Sequence, residues 1–196
     1  MYKVIGGVKS RTLRVLWMLE ELGEAYDHID AAPRSEEALA YHPQGKIPAL
    51  VVDGTTLTDS VAIMTYLADK HGKFTHPAGS LERAKQDALT QFIAEEFDNI
   101  LWTAARHSFV LPEDKRVPEV KDSLRWEFER SQASLLDRMD EGGPFLMGDM
   151  MTLPDLLLAH CAGWAIGAKF PITQARVKTH MEMMRARPAF KRALQG

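Results

Sequence analysis

The stretch Gly45–Ile63, GKIPALVVDGTTLTDSVAI, decides how this chain reads. Its apolar run Pro48–Val52 lacks polar alternation, the pattern of a strand covered on both faces. Asp53-Gly54 follows, a dipeptide suited to a tight hairpin turn, and Thr55–Thr58 is then the partner strand. A helix begins abruptly on Asp59-Ser60. Asp and Ser are strong helix caps, which is one reading. The other starts from the unpaired N–H groups and partial positive charge of a helix N-terminus, which seat a carboxylate or phosphate. In that reading Ser60 donates to an anionic ligand while Asp59 accepts from its ammonium group. Upstream, Ile47-Pro48 suits the start of a strand, where proline sacrifices no essential ladder bond. With the Ile47 amide and carbonyl exposed beside the helix opening, it also offers a backbone pair to a small peptide ligand.

Outward from this stretch, the pattern changes every dozen residues up to about residue 77. YKVI reads as a strand, and SRTLRVLWMLEELG as a helix with Val15, Met18, Leu19 and Leu22 on one face and Gly23 as its stop. AYDHID is a second strand, SEEALAYH a short helix, and SVAIMTYLADKHG a longer one. KFTHPAGS reads as a linker, and beyond it only helical spacing recurs. The expected organisation is an α/β domain over 1–77, a linker over 78–85 and an all-helical domain over 86–196.

A net charge of -3, with 45% hydrophobic and 26% charged residues, excludes a phosphate-backbone binder and a disordered chain, so no nucleic acid is expected as partner. No segment approaches the roughly 20 apolar residues of a membrane span and no signal h-region follows the start, so a cytoplasmic protein without membrane attachment is expected. The single cysteine, Cys161, cannot close an internal disulfide and reads as a small buried hydrophobe. Seven histidines lie without an i, i+4 pair or clustered carboxylates, so no metal is expected.

HPQGKIPALVVDGTTLTDSVAIMTYL resembles the glutathione-binding stretch of the cytosolic glutathione transferases, roughly N-P-x-G-K-V-P-x-L, a hairpin, then E/D-S-x-A-I. GPFLMGDMMTLPDLLLAH resembles that family's second-domain segment, and RARPAF its C-terminal end. The second segment is also physically legible. Thr152 at the N-cap and Asp155 at N3 make a capping box, with Pro154 in the first turn.

The resemblance implies a thioredoxin-like N-terminal domain with a mixed four-stranded sheet, an all-α C-terminal domain, and a cis bond at Pro48. It implies that Ile47 pairs its backbone with the cysteinyl part of glutathione and that Asp59 and Ser60 hold the γ-glutamyl end. Lys46 then stands near the glycyl carboxylate, with Gln44 and His42 as weaker candidates there. The family activates the thiol with a Tyr, Ser or Cys near the end of the first strand or the opening of the first helix. Ser10 is the first candidate here, Arg11 and Thr12 are alternatives, and a plain N-cap is the other reading of Ser10.

By family position, Trp102, Arg106 and Phe109 contact the second substrate; the plainer reading makes Trp102 and Phe109 core or interface residues and Arg106 the partner of an acid. Trp126, Trp164, Met147, Met150 and Met151 read as packing residues. The expected activity is a glutathione transferase, attacking a small apolar electrophile held between the domains with glutathione thiolate. No cofactor beyond this co-substrate is expected, and the resemblance implies a homodimer. Isomerisation, dehalogenation and peroxide reduction are the alternative reactions, and a non-catalytic protein-interaction module is the alternative of another class.

Overall fold

The computed structural model describes residues 1–196, which divide into two compact units, Met1–Ala78 with Arg185–Gly196 and Gly79–Met184. In the first unit, β1 Tyr2–Ile5, α1 Thr12–Leu22, β2 Tyr26–Ile29, α2 Glu36–Leu39, β3 Ala49–Val52, β4 Thr55–Thr58 and α3 Ser60–His71 follow in order. The sheet order is β2-β1-β3-β4, with β1 and β2 parallel and β3 antiparallel to both of its neighbours. This is the mixed four-stranded sheet of a thioredoxin-like domain. Asp53 and Gly54 turn β3 into β4 with φ of 49° and 79°, matching the tight hairpin that the sequence predicts.

Helix α1 is buried almost all round, with Val15, Leu16, Trp17, Met18 and Leu19 inaccessible to solvent. The short helix α9, Pro188–Ala193, covers one side of it, the Phe190 ring meeting Trp17 edge-on at 4.8 Å. That contact explains why Arg185–Gly196 groups with the α/β unit, although its sequence spacing placed it with the helices. Apolar surface on α1 is left for a helix to cover, and α9 is the segment that covers it.

The second unit opens at α4, Leu81–Ile93, inside the segment expected to be a linker, because the Ser80 hydroxyl accepts from Arg83 N at 3.1 Å and caps the helix. The same helical run continues through a π-helical turn at Ala94–Asn99, α5 at Ile100–Ala105 and a second π-helical turn at Arg106–Val110. Helices α6 Val120–Leu136, α7 Leu153–Gly167 and α8 Ala175–Ala186 follow. Phe97, Phe128 and Phe170 form an edge-to-face chain at 5.2 and 5.6 Å.

Helix α7 is apolar on every face and buried, as a core helix should be. Its capping box is present, and Asp155 does more than cap. Its Oδ2 accepts from Thr152 N at 2.8 Å, while Oδ1 accepts from Leu146 N and His180 Nε2, each at 2.8 Å. Trp126 departs from expectation. It is 62% exposed, because α6 buries Leu124, Phe128 and Leu135 and leaves Trp126 on the opposite face beside the Arg130 guanidinium, 5.3 Å from its ring. Met150 is exposed too, whereas Cys161 is fully buried as expected. No helix is long and apolar enough to cross a membrane.

Candidate functional site

Three segments of the first unit meet where β1 ends. Gly6 has φ 129°, and a Cβ there would overlap Thr12 Oγ1 and stand 2.8 Å from Ile47 Cβ. Only a residue without a side chain lets the start of α1 and the Ile47 loop approach so closely. The Ile47–Pro48 bond is cis, Pro48 is buried, Ile47 is half-buried and Lys46 is exposed. Upstream the turn is tied by Gly45 N to His42 O at 2.7 Å and Arg34 N to Gly45 O at 2.8 Å, while His42 Nδ1 accepts from Gln44 N.

The start of α3 does not match a plain cap. Asp59 holds φ 66° and ψ 118°, unusual for a residue with a side chain, and its carboxylate makes no capping hydrogen bond. The side chain stands exposed instead. Ser60 is only 6% exposed, and its Oγ accepts from Nη1 of Arg14 at 3.1 Å. Arg14 itself is 1% exposed. Because the guanidinium can only donate, this bond uses a lone pair of Ser60 and leaves the hydroxyl hydrogen uncommitted.

Ser10 is engaged locally. Its hydroxyl lies 2.7 Å from Gly7 O and 2.9 Å from Thr12 Oγ1, and Oγ accepts from Thr12 N at 3.1 Å. Arg11 is half-buried, Thr12 is fully buried and Lys9 is exposed. Tyr2 belongs to the other end of the sheet. Its hydroxyl bonds His71 Nε2 at 2.8 Å, at the last residue of α3, about 16 Å along that helix from Ser60. Burial pushes the Tyr2 phenol up, with Lys70 pulling the other way.

In the helical unit, Trp102 and Arg106 share a face of the α5 run at i, i+4 spacing. Arg106 Nη2 donates to Thr103 Oγ1 at 3.0 Å, and its buried Nε has no partner. Phe109, 69% exposed, lies on another face, where with Leu101, Ala105, Ser108, Trp164 and Phe170 it lines a cavity of about 260 Å³. Trp102 and Arg106 do not line that cavity, so the three expected substrate contacts separate into two faces.

Sequence reading passed over Gly6 and Arg14. The signal for Arg14 was available: it stands four residues before Met18 and eight before Leu22, on the very face assigned to the core.

Residues 10–70 match the family model described as "Glutathione S-transferase, N-terminal domain". The chain is 40% identical over 91 residues to the maleylacetoacetate isomerase of Rhizobium meliloti, a match covering 43% of each protein and hence under half the length of the isomerase. It is 30% identical over 150 residues to a glutathione S-transferase-like protein of Gibberella fujikuroi, covering 72% of this chain and 67% of that one. Among solved structures, a glutathione transferase from Methylococcus capsulatus superposes with a TM-score of 0.86 at 25% identity, covering 100% of this chain and 98% of the other.

Proposed function

The chain belongs to the cytosolic glutathione S-transferase superfamily, and on that premise we propose that its α/β unit binds glutathione as a thiolate and transfers it to a small apolar electrophile. One observation carries the reading. A buried serine with an uncommitted hydroxyl hydrogen opens α3 immediately after an exposed carboxylate that does not cap the helix. Such a pair of groups suits the carboxylate and ammonium of a γ-glutamyl residue.

In this reading Ser60 donates to the γ-glutamyl carboxylate and Asp59 accepts from its ammonium group. Ile47, ahead of the cis Pro48, pairs its backbone with the cysteinyl residue, and the exposed Lys46 meets the glycyl carboxylate. A free thiol titrates near 8.5, so only a few per cent is ionised at neutral pH. One hydrogen bond to the sulfur anion contributes about 1.5–3 kcal/mol, enough to lower that pKa by about one to two units. Ser10 is the proposed donor. Turning its hydroxyl from Gly7 O to the sulfur exchanges a neutral hydrogen bond for a charge-assisted one. Arg11 and Thr12 are the alternatives. The thiolate then attacks the electrophilic carbon, forming the C–S bond as the leaving group departs or a conjugated double bond accepts the electron pair. Trp102, Arg106 and Phe109 are the proposed contacts of the acceptor, and a cytoplasmic homodimer is the proposed assembly.

A second reading is favoured by the 40% identity to an isomerase. The same thiolate adds to a conjugated double bond, rotation follows, and the thiolate is expelled, so glutathione is not consumed.

Calorimetric titration with glutathione across pH 6 to 8, with thiolate absorbance followed on the same samples, tests both readings. Binding with thiolate present below pH 8 supports them, and glutathione turnover then separates transfer from isomerisation. Absence of binding overturns both in favour of a protein-interaction module.

A further inference from the structure

We propose that the cavity within the helical unit takes a small ligand with an apolar body and one carboxylate, and that acceptors of this anionic class are the ones the chain favours. The second half rests on the transfer reading above, through Phe109; the first does not. The cavity, of about 260 Å³, is lined only by residues of the helical unit. Leu101, Ala104, Ala105 and Phe170 on its wall are each at most 6% exposed, a surface that favours an aromatic or aliphatic body.

The charged lining is all of one sign. Lys121 and Arg125 on α6 and Lys169 just past α7 contribute positive charge, and no Asp or Glu lines the cavity, although the chain as a whole carries a net charge of -3. Arg125 is partly neutralised, because Nη1 donates to Asp122 at 3.0 Å while the guanidinium stands 5.6 Å from the centre of the Phe170 ring. Lys121 and Lys169 enter no ion pair, so their charge is open to a ligand. Lys169 is moreover held where local rules favour another residue. Helix α7 closes with Phe170 N donating to Ala165 O at 2.8 Å and Lys169 N to Ile166 O at 3.1 Å. This closure puts Lys169 at φ 61°, the left-handed position that glycine usually fills. Strained backbone thus brings an ammonium group to the cavity. Ser108 and Phe109 reach it from the π-helical turn Arg106–Val110, a second departure from regular geometry at the same place.

The test uses two pairs of nitroaromatics, each an acid and its uncharged amide. The pair 4-methyl-3-nitrobenzoate and 4-methyl-3-nitrobenzamide does not react with a thiolate and reports binding by calorimetry on the full chain. The carboxylate should bind about 10-fold tighter than the amide, the scale of a few partly exposed ion pairs. Lys121→Met and Lys169→Gly should each narrow this to about 3-fold. Lys178→Met, at an exposed lysine of α8 that does not line the cavity, should leave it unchanged. Lys169→Gly should also unfold at no lower a temperature than the unsubstituted protein, because glycine adopts this φ without strain. A merely structural lysine would instead lower the melting temperature and leave the preference intact. No carboxylate preference in the unsubstituted protein, or one that survives both substitutions in folded variants, overturns the site.

The second pair, 4-chloro-3-nitrobenzoate and its amide, reports turnover. Glutathione thiolate forms the C–S bond at the ring carbon bearing chlorine, and chloride leaves with the electron pair. Values of kcat/KM, corrected for the rate of each acceptor with glutathione alone, should follow the same order and respond to the same two substitutions. Turnover without a carboxylate preference overturns the acceptor class. A binding preference without turnover of either acceptor supports the site and overturns the transfer reading instead.

Discussion

Arg187 holds Glu21 through two parallel hydrogen bonds, Nε to Oε1 at 2.6 Å and Nη2 to Oε2 at 2.8 Å. The Glu21 side chain is only 6% exposed and accepts a third bond, from Trp17 Nε1, at 3.0 Å. A bidentate pair at a largely buried carboxylate fastens the C-terminal segment to α1 more firmly than a surface ion pair could.

Removing Arg187 should therefore cost stability through the carboxylate left behind. Arg187→Ala is expected to destabilise the α/β unit by about 2 kcal/mol, since Glu21 keeps only Trp17 as partner. Urea unfolding followed by tryptophan fluorescence measures this, and an unmoved midpoint would show that α9 is held by apolar contact alone.

Gly6→Ala introduces a Cβ that overlaps Thr12 Oγ1 and lies 2.8 Å from Ile47 Cβ, at a φ of 129° that side chains rarely adopt. Neither neighbour is on a freely moving chain end, so the cost should exceed about 2 kcal/mol and glutathione affinity should fall with it. Paired measurements of melting temperature and glutathione binding check the coupling.

Ser60→Ala removes the proposed donor to the ligand carboxylate and should weaken glutathione binding by about 1–3 kcal/mol, the scale of a hydrogen bond to a charged group. Unchanged affinity in a calorimetric titration would sink the carboxylate-seat assignment.

Ser10→Ala separates binding from thiol activation. Ser10 is not the N-cap of α1, a position Arg11 holds without a side-chain cap bond, and loss of the acceptor for Thr12 N should cost about 1 kcal/mol of stability, the worth of one hydrogen bond. Glutathione affinity should stay nearly intact while the pH at which bound thiolate appears rises by about one to two units. A thiolate titration that does not move would assign the sulfur to Thr12, Arg11 or a backbone amide.

Burial, then the hydrogen bond to Glu20 and that residue's negative charge, push the Tyr26 phenol from 10.0 up to about 12, with Arg192 opposing. A folded-state value raised above the unfolded one stabilises the protein fully below about pH 10, and that contribution is lost as pH rises through about 12. Phenolate absorbance should show a late-titrating phase that Tyr26→Phe removes, and the same substitution should flatten the stability loss over that alkaline range.

Much of the fold was legible because short-range rules act on it directly. Gly23 and Gly72 end α1 and α3 in the left-handed region, Asp53-Gly54 makes the hairpin, and Thr152 with Asp155 forms the capping box, each through neighbours within a few residues. Trp126 shows where such reading ends. Its type predicts burial, but which face of α6 is covered depends on Phe97 and Phe170, which are distant in sequence.

The sequence by itself determined the order of strands and helices, the polar opening of α3 and the Ile47-Pro48 pair, because dihedral preference, capping and hydrophobic period are local properties. Tertiary structure alone decided that Arg14 meets Ser60, that Gly6 must be bare for Thr12 and Ile47 to come together, and that Arg187 closes on Glu21. These contacts join residues far apart along the chain, and they form only once the sheet and the buried helix α1 have fixed where each backbone lies.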